Sequence, residues 1–270
     1  MNVSVSDRPS AATERVLVRR DAGGVAWVTL NRPAQRNALS MGLMTALDAE
    51  LARIEIDPTV KVVVIGGAGS AFCAGHDLRE LRATPTRAAY EATFALSSRL
   101  MLRVVRLPKP VIALVHGVAT AAGCQLVASC DLAVAADTAR FATPGVNIGL
   151  FCSTPMVALS RVVGRKAAME MLLTGEWVEA ARARELGLVN RVVPETELDA
   201  AAAALAGQIA AASPLTVAIG KAAFYRQAEM ELDAAYAYAG EVMTRNMLAR
   251  DAEEGIDAFL AKRPPVWTGA

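Results

Sequence analysis

Residues 62–78 read VVVIGGAGSAFCAGHDL, and residues 111–126 read VIALVHGVATAAGCQL. Each segment contains a continuous apolar run, then several small residues, and then the start of a predicted helix. A continuous apolar run that ends at glycine is typical of a strand buried on both faces of a parallel sheet. Open α/β sheets bind their ligands at the carboxyl ends of such strands. The two segments therefore predict an α/β fold with a ligand site where their strands end.

Strand and helix patterns alternate on both sides of these segments. Beyond Ser153 the chain is alanine-rich, and its pattern predicts helix almost throughout. This order predicts a disordered tail (1–14), an α/β core (15–200) and a helical C-terminal subdomain suited to self-association (201–270). The predicted strands are Val16–Arg20, Gly24–Leu30, Val60–Ile65 with a glycine turn after it, Val111–Val115 and Leu132–Ala136. The predicted core helices are Ser40–Ile56, with Ser40 as N-cap, and Thr86–Arg106.

The charge balance of the chain limits the classes of partner. Of its 270 residues, 28 are Lys or Arg and 27 are Asp or Glu, which gives a formal net charge of +1. Nucleic-acid binding needs a clustered surplus of basic residues, and here the basic residues are scattered among acidic ones. We therefore expect no nucleic-acid partner. The longest apolar stretches fall short of a bilayer span, so we expect no membrane partner either.

Cysteine and histidine usage predicts neither a metal site nor a disulfide framework. The chain has only two histidines, and its cysteines show no metal-ligand spacing. The first residues also lack the basic and apolar regions of a secretory signal. Reduced thiols and a cytoplasmic location are therefore expected. The four cysteines are Cys73, Cys124, Cys130 and Cys152.

The small residues in the two opening segments favour oxyanion binding. A helix N-terminus presents unpaired N–H groups and a favourable dipole, and small residues let a ligand approach the backbone closely. Two such donors that converge on one carbonyl oxygen would stabilise an enolate or a tetrahedral oxyanion. The alternative interpretation is that the small residues only permit close packing of helix on sheet.

The two segments belong to a longer series of motifs. The series resembles the crotonase superfamily of enoyl-CoA hydratases and isomerases, and it covers nearly all of the chain after residue 15. Within the superfamily, the sequence of residues 121–155 is similar to the subgroup called enoyl-CoA hydratase domain-containing protein 3. In chain order the motifs are NRPAQRNALS (31–40), AFCAGHDL (71–78), GVATAAGCQLVASCDLAVAAD (117–137), FATPGVNIGL (141–150), MEMLLTGEWVEAARARELGLVNRVVP (169–194) and EGIDAFLAKRPP (254–265).

The resemblance implies a crotonase-like spiral of repeated ββα units, a helical C-terminal subdomain, and homotrimers or dimers of trimers. It implies an acyl-CoA thioester as ligand, with coenzyme A as part of the substrate and no bound prosthetic group. The thioester oxygen would sit between two backbone N–H groups, which in this chain are those of His76 and Ala122. Family members commonly have glycine where Ala122 stands, but a methyl group need not disturb an N–H donor.

The sequence departs from the family pattern at two positions. Hydratases of this family carry one glutamate shortly after the small-residue triplet and a second in a Pro-Glu pair, as an acid/base pair. Here those positions hold Gln125 and Gly145. Glutamine cannot exchange a proton near neutral pH, and glycine has no side chain. Each lost acid/base group is worth about 10²–10⁴-fold in rate, so a standard hydratase mechanism is doubtful.

Several other side chains are candidates to replace the missing glutamates. His76 has the most suitable pKa, but a packing role or a contact with CoA is the favoured alternative. Structural roles are favoured for Asp131 and for His116. Ser153 is a poor base, and Cys152 has no evident histidine partner that would make it a nucleophile.

The resemblance also implies a set of contacts with CoA. Lys262 and Arg263, at the end of the C-terminal helix, would pair with a phosphate of CoA. That CoA would be bound either to the same subunit or to a neighbouring one. The alternative is a solvated last helical turn, which the helix dipole favours. Phe259 would line the acyl channel or simply pack. The implied CoA-binding residues are Arg36, Ala38, Ala74, Asp77, Leu78, Lys262 and Arg263.

Three functional hypotheses follow. The first is an acyl-CoA lyase or isomerase of the enoyl-CoA hydratase type that stabilises a thioester enolate, in fatty-acid or acyl-CoA metabolism. The second is a non-catalytic CoA-thioester binding or interaction protein, which the two missing glutamates suggest. The third is a decarboxylase or hydrolase on the same scaffold that does not need the glutamates.

Overall fold

The apolar runs of the core form parallel strands, as the sequence predicts. The computed structural model describes residues 15–270. The strands in this range are β1 (Leu17–Ala22), β2 (Val25–Leu30), β3 (Val62–Gly67), β4 (Ala71–Cys73), β5 (Val111–Val115), β6 (Val118–Thr120), β7 (Leu132–Ala136), β8 (Arg140–Ala142), β9 (Val178–Glu179) and β10 (Arg191–Val193). The α-helices are α1 (Met41–Ile56), α2 (Leu78–Ala83), α3 (Arg87–Arg106), α4 (Ala122–Ser129), α5 (Ser153–Val162), α6 (Arg165–Thr174), α7 (Ala180–Glu185), α8 (Leu198–Ala210), α9 (Pro214–Gln227), α10 (Leu232–Met247) and α11 (Arg250–Leu260).

Six strands form the main sheet, in the order β1-β2-β3-β5-β7-β10. Strand β1 pairs antiparallel with β2, and all other neighbours are parallel. Both faces of the sheet are covered, which explains why β3 and β5 are apolar without alternation. Val63 and Ile65 face the larger core cluster, which includes buried side chains of α1, α3 and α4. Val62 and Val64 face a second cluster, which is completed by α8.

A smaller sheet has the order β4-β6-β8-β9 and provides the position of the candidate site. Strands β4, β6 and β8 run parallel, while the two-residue β9 pairs antiparallel with β8. The three parallel strands therefore end at one edge of the sheet. Their ends lead into residues 74–76, 121–123 and 143–145.

Helices α1 and α3 begin at side-chain caps. The Ser40 hydroxyl accepts a hydrogen bond from the Leu43 amide at 3.1 Å, which confirms the predicted N-cap of α1. Thr86 caps α3 in the same way, through the Ala89 amide at 3.3 Å. Both helices begin one residue after their caps.

The structure contains the short strands β4, β6, β8 and β9, which were not predicted, and it differs from the predicted elements at a turn and in the C-terminal half as well. The glycine turn predicted after Ile65 begins later, because Gly66 and Gly67 continue β3 and pair with Thr29 and Leu30 of β2. The region after Ser153 is also not helical throughout. Strand β10 pairs with β7 at the edge of the main sheet, and its three residues are too few for a periodic pattern to show.

The predicted boundary at residue 200 falls inside α8. Leu198, Ala202 and Leu205 of this helix pack against the main sheet. Helix α8 therefore belongs to the α/β core, which the prediction ended at residue 200. The helices that follow, α9 to α11, form the helical C-terminal region. The predicted disordered tail lies outside the described residues. Within residues 15–270 no single helix is long and apolar enough to cross a membrane. The bent pair of helical segments 195–210 and 214–227 reaches the required length and apolar composition only when the two are taken together.

Candidate active site

The turns after β4 and β6 lie against each other. Cys73 pairs with Ala119, one residue before the end of β6. At Gly75 a Cβ atom would lie 3.0 Å from the Ala121 side chain and 3.4 Å from the Ala122 nitrogen, and the backbone φ there is +90°. Glycine is therefore required at position 75, and the close contact brings His76 next to the start of α4.

Two amide groups at this contact have no acceptor. The backbone around His76 is held by hydrogen bonds from the Leu39 amide to the Gly75 carbonyl and from the Asp77 amide to the Leu39 carbonyl, at 2.7 and 3.2 Å. The amide of His76 itself donates no hydrogen bond within residues 15–270, and the same holds for Ala122, the first residue of α4. The two predicted oxyanion donors are thus unpaired N–H groups on turns that lie against each other.

Ala121 turns the chain sharply into α4. Its φ is +50° and its ψ is −116°, a conformation that costs a non-glycine residue about 1–3 kcal/mol. The Ala121 amide donates to the Ala142 carbonyl at 2.9 Å and so ties the turn to the end of β8. Strain of this kind persists where the surrounding contacts fix the turn.

The two ring nitrogens of His76 are buried and have no hydrogen-bond partner among the described residues. Its ring meets Phe94 of α3 edge to face, with 5.6 Å between the ring centroids. Burial lowers the pKa of His76 below its usual value, and the Leu39 backbone opposes this shift only in part. The side chain is therefore neutral at neutral pH.

Gln125 and Thr143 are two further buried polar side chains at these strand ends. Gln125 is 5% exposed and Thr143 is fully buried, and the Oε1 and Oγ1 atoms have no partner within residues 15–270. Gln125 was predicted to stand at the position of a missing glutamate, whereas Thr143 was not singled out. The signal that could have found Thr143 is its position directly after a strand end, beside the Pro-Gly pair.

The position of the second missing glutamate is filled by other atoms. A Cβ atom at Gly145 would lie 2.7 Å from the Leu150 carbonyl oxygen and 2.9 Å from Cys152 Sγ. A glutamate there would require the backbone of the 145–152 loop to move. Cys152 is itself buried, and burial raises the pKa of its thiol, which does not favour the thiolate that a nucleophile needs.

The favoured structural roles of Asp131 and His116 are confirmed. Asp131 accepts hydrogen bonds from Lys221, Tyr225 and the Val111 amide, at 2.6, 2.9 and 2.7 Å. His116 Nε2 lies 2.8 Å from the Gly69 carbonyl oxygen. Ser153 begins α5, and its hydroxyl bonds to the Phe151 carbonyl at 3.3 Å. These contacts occupy the polar atoms that a catalytic role would use.

Four of the predicted CoA-binding residues are joined in two pairs of contacts: two bond to each other, and two contact one arginine. The Ala74 amide donates to the Arg36 carbonyl at 3.0 Å. Arg32 donates to the Ala38 carbonyl at 2.6 Å and pairs with Asp77 at 3.0 Å. Arg32 was missed because it has no chemical motif of its own. The signal that could have found Arg32 is its position in the 31–40 motif, which also contains Arg36 and Ala38.

The Asp77 carboxylate is used within the chain. It caps α2 by accepting from the Arg79 and Glu80 amides and also binds Arg32. Burial alone would raise its pKa, but these hydrogen bonds outweigh burial and lower it. A contact of Asp77 with CoA stays a prediction. The neighbouring Leu78 side chain is half exposed.

Asn37 was also missed, and it holds the 31–40 loop in place. Its side chain accepts from the Arg32 amide at 2.9 Å and donates to the carbonyls of Ala68 and Ala71, at 2.9 and 2.7 Å. Its φ is +54°, in the left-handed region that asparagine tolerates better than most residues. These bonds fix the loop that carries Arg36 and Ala38.

The C-terminal candidates lie elsewhere in the chain. Arg263 forms a two-pronged ion pair with Glu254, at 2.6 and 2.8 Å, and α11 packs on α9 and α10. No hydrogen bond or ion pair in the described part of the chain joins Lys262 or Arg263 to residues 74–78. Phe259 is 81% exposed, so it does not pack within the core of this chain. Contact of these residues with CoA remains a prediction.

Among residues 15–270 there is no group of three or more His, Cys, Asp or Glu side chains arranged to hold a metal ion. The site consists instead of unpaired amides, neutral buried side chains and the ends of three strands. Such a site can polarise a carbonyl oxygen through backbone donors. Around that oxygen it offers no buried carboxylate for proton transfer.

Comparison with known proteins gives the relatives of this chain. The family model described as enoyl-CoA hydratase/isomerase matches residues 20–270. The rat protein named enoyl-CoA hydratase domain-containing protein 3, mitochondrial, is 44% identical over 265 residues, which cover 97% of this chain and 88% of that protein. The human protein of the same name is 46% identical over 249 residues, covering 92% of this chain and 82% of that protein.

Solved structures agree with these sequence matches. An enoyl-CoA hydratase from Mycobacterium smegmatis has a TM-score of 0.92 at 55% identity, covering 94% of this chain and 99% of that one. Human enoyl-CoA hydratase domain-containing protein 3 has a TM-score of 0.91 at 46% identity, covering 94% of this chain and 100% of that one. The predicted superfamily, subgroup and crotonase-like fold are confirmed.

The names of the relatives contradict one expectation. The cytoplasmic location predicted from cysteine usage and from the first residues is wrong by this comparison, since the rat and human relatives are both named mitochondrial proteins. Reduced thiols do not distinguish the cytosol from other reducing compartments. Cysteine usage therefore cannot show in which reducing compartment the protein is located.

Proposed function

Because the chain belongs to the enoyl-CoA hydratase/isomerase family, we propose that it binds an acyl-CoA thioester and stabilises the enolate form of its acyl group. The thioester oxygen accepts hydrogen bonds from the amides of His76 and Ala122. Arg36, Ala38, Ala74, Asp77 and Leu78 contact the CoA portion, in part through their backbone. Lys262 and Arg263 supply positive charge for its phosphates.

The observation that carries this proposal is the pair of unpaired amides at the contact between two strand-to-helix turns. A third contribution comes from the dipole of α4, whose N-terminus is at Ala122. Loss of one such donor typically costs an enzyme about 10²–10³-fold in rate. Negative charge that develops on a thioester oxygen is thus the charge that this arrangement stabilises best.

The strongest test compares two ligands on the unaltered protein. Butyryl-CoA carries the thioester carbonyl, and the butyl-CoA thioether lacks only that oxygen. We expect calorimetry to give a Kd about tenfold or more lower for the thioester, because only the thioester can accept hydrogen bonds from the two amides. Equal affinities would refute the oxyanion site, and no binding of either ligand would refute the acyl-CoA proposal.

A variant tests the same donor directly. Ala122→Pro removes one N–H, and proline is tolerated at the first position of a helix. We expect this variant to lose the preference for thioester over thioether. Arg165→Pro, at the first position of α6, is the matched control and should keep it. Thermal unfolding of both variants separates a lost donor from a lost fold.

A non-catalytic thioester-binding protein is the second candidate, and the filled position at Gly145 favours it. Gln125 and the neutral His76 leave the site without an ionised acid/base pair. Incubation with crotonyl-CoA distinguishes the two candidates, since hydration removes the conjugated enoyl absorbance. A rate equal to that of Ala122→Pro would favour the binding protein, and a clearly faster rate would favour a hydratase.

We also propose that the chain self-associates as a trimer or a dimer of trimers. The support is a set of exposed apolar side chains on and around α5 and α6. A sedimentation experiment that finds only monomer would refute this proposal. The exposed residues are Leu150, Phe151, Val157, Met169, Leu173 and Trp177.

A further inference from the structure

We propose that the outer face of helix α8, together with the groove beside it, is a two-fold interface that binds a second copy of this chain. The interface is separate from α5 and α6, whose exposed side chains support the proposed trimer. The inference rests on the proposed self-association and deepens it, because a two-fold contact added to a trimer gives a dimer of trimers. It does not depend on the proposed acyl-CoA ligand.

The starting observation is that the outer face of α8 has almost no charge. A helix at a protein surface normally carries charged residues on the side away from the core, and a helix without them is normally buried. In α8 the only charged residue is Asp199. The composition therefore indicates that the outer face is covered in the assembled protein. Its exposed residues are Asp199, Ala200, Ala203, Ala204, Gly207 and Gln208.

A groove of about 930 Å³ lies beside this face, between α8 and strand β1. Its floor includes Trp27, Thr29 and Gly66 of the main sheet. Glycine at position 66 keeps the floor low without strain, since a Cβ atom there would meet only Leu114, at 3.6 Å or more. The volume equals about two turns of an α-helix that is roughly 10 Å across. The groove is therefore large enough to accept part of a second helix.

The wall that α8 contributes to this groove consists of small residues. Ala200, Ala203 and Gly207 line it, and a Cβ atom at Gly207 would meet nothing within 4 Å. These positions are three and four residues apart, so they lie on one face of the helix. The distance between two packed helices depends on the side chains at their contact, and small side chains allow a close approach. A helix with a matching small-residue face fits this wall best, and the outer face of α8 is such a face.

Helix α8 runs antiparallel to the strands beneath it. Near its start, Thr138, which follows β7, donates to Glu195 at 3.0 Å. At its end, Lys61, which precedes β3, donates to the Ala210 carbonyl at 3.1 Å. The acidic start of α8 therefore lies at the carboxyl ends of the strands, and its uncharged end lies where β2 and β3 begin.

Charge complementarity identifies a second copy of this chain as the occupant. Arg20 of β1 pairs with Trp27 in the first half of β2 and lies over its ring, 5.2 Å from the centroid. The ion pairs within residues 15–270 include neither Arg20 nor Asp199. A second α8 that lies antiparallel to the first brings its acidic start to this end of the groove, so that Asp199 of the partner subunit faces Arg20. Two-fold symmetry makes the same contact twice, and each α8 fills the groove of the other copy.

The first experiment measures assembly mass by sedimentation. We expect the unaltered protein to form a hexamer, or a dimer if the proposed trimer does not form. Ala203→Glu should halve this mass, because Ala203 is the central small residue and the two-fold axis brings the two introduced carboxylates together in the contact. Ala92→Glu, at an exposed position of α3, is the matched control and should keep the mass. Thermal unfolding checks that both variants are folded.

The outcomes separate this inference from the proposed trimer. An unaltered protein that sediments only as a trimer would overturn the inference and leave the trimer standing, whereas a monomer would overturn both. An unchanged mass in Ala203→Glu would also overturn the inference. A mass halved equally by Ala92→Glu would do the same, because the effect would then not belong to α8.

Charge reversal tests the antiparallel arrangement. Arg20→Glu and Asp199→Arg each bring like charges together, and each should raise the Kd of the two-fold contact about tenfold. The two substitutions in one chain restore opposite charges and should return the Kd to within about threefold of the unaltered value. A combined variant that is no tighter than the single ones would overturn the inference. Butyryl-CoA affinity should be the same in all of these variants, so its absence in the unaltered protein would count against the proposed function alone.

Discussion

Helix α4 has a buried polar cluster at each end, and the two clusters differ in how their groups are paired. After its C-terminus, Asp131 accepts hydrogen bonds from Lys221, Tyr225 and a backbone amide. Lys221 also donates to the carbonyls of Val104 and Lys109, at 3.2 and 3.1 Å. Toward the N-terminal end of α4, Gln125 and Thr143 each have an oxygen atom with no partner within residues 15–270.

The difference indicates two uses of buried polarity. The paired cluster joins α9 to the core through contacts that are complete in the folded chain, so its role is structural. The unpaired groups carry a cost in stability, because a buried polar atom without a hydrogen bond has lost its contact with water. Mutations should therefore lower stability at the paired end of the helix and leave it unchanged or higher at the other.

The largest expected effect is at the paired cluster. Lys221→Met removes the cation and leaves the partly buried Asp131 carboxylate without its charge partner, which should lower the free energy of unfolding by about 1–3 kcal/mol. Urea denaturation measures the change. Lys166→Met, at an exposed position of α6, should stay within about 0.5 kcal/mol of the unaltered protein. A loss below about 1 kcal/mol for Lys221→Met would contradict a structural role for the cluster.

The next effect concerns the filled position beside the unpaired cluster. Gly145→Ala places a methyl group against the Leu150 carbonyl and Cys152 Sγ, and should cost about 1–3 kcal/mol of unfolding free energy. Gly164→Ala is the control, because a Cβ atom there meets nothing within 4 Å. If Gly145→Ala were as stable as the unaltered protein, the loop would have room for a side chain. Gly145→Glu would then be a realistic way to restore the second carboxylate.

A smaller effect distinguishes the two kinds of buried hydroxyl. Thr143→Val removes an unpaired group, so the unliganded protein should keep its stability or gain up to about 1 kcal/mol. Ser213→Ala removes a hydroxyl that binds Asp251 at 2.6 Å and caps α9, and should cost about 1 kcal/mol. Thermal and urea unfolding report both changes. A clear loss of stability in Thr143→Val would mean that its hydroxyl is paired in solution.

The smallest expected effect is a pH dependence from His76. Its pKa is lower in the folded chain than the usual 6.5, so the unfolded chain binds more protons between the two values. The contribution of His76 is therefore fully present above the unfolded pKa and is lost as the pH falls toward the folded one. Urea unfolding between pH 7 and pH 5 should show a smaller loss of stability in His76→Gln than in the unaltered protein. Titration of the His76 ring by NMR at or above 6.5 would contradict the burial of this side chain.

Local signals explain the parts of the fold that the sequence predicts well. Strand β5 and strand β7 have the predicted ends because each is a short apolar run between polar or small residues. The start of α1 follows from Ser40, whose capping bond reaches only three residues along the chain. Such features depend on neighbours in sequence, so the pattern of residues contains them.

Features of the site that depend on distant residues are not contained in that pattern. Asn37 holds its loop through Ala68 and Ala71, which are more than thirty residues away. The loss of space at Gly145 depends on a loop that folds back over it. The resemblance identified which glutamates are missing, but only the fold indicates that one of the two positions is closed. Strand β10 is likewise defined by its partner β7 and not by its own three residues.

The four buried cysteines have a practical consequence for measuring motion in this chain. Burial raises the pKa of Cys73 and of Cys124 to about 12, and it raises the pKa of Cys130 and Cys152 as well. A thiol-alkylating reagent attacks the thiolate, so it can react only when a segment opens. Cys124 lies in the first turn of α4, Cys130 follows the last residue of that helix, and Cys152 lies in the loop over Gly145. The order in which these thiols become labelled would therefore report which end of the helix opens first, without any probe being introduced.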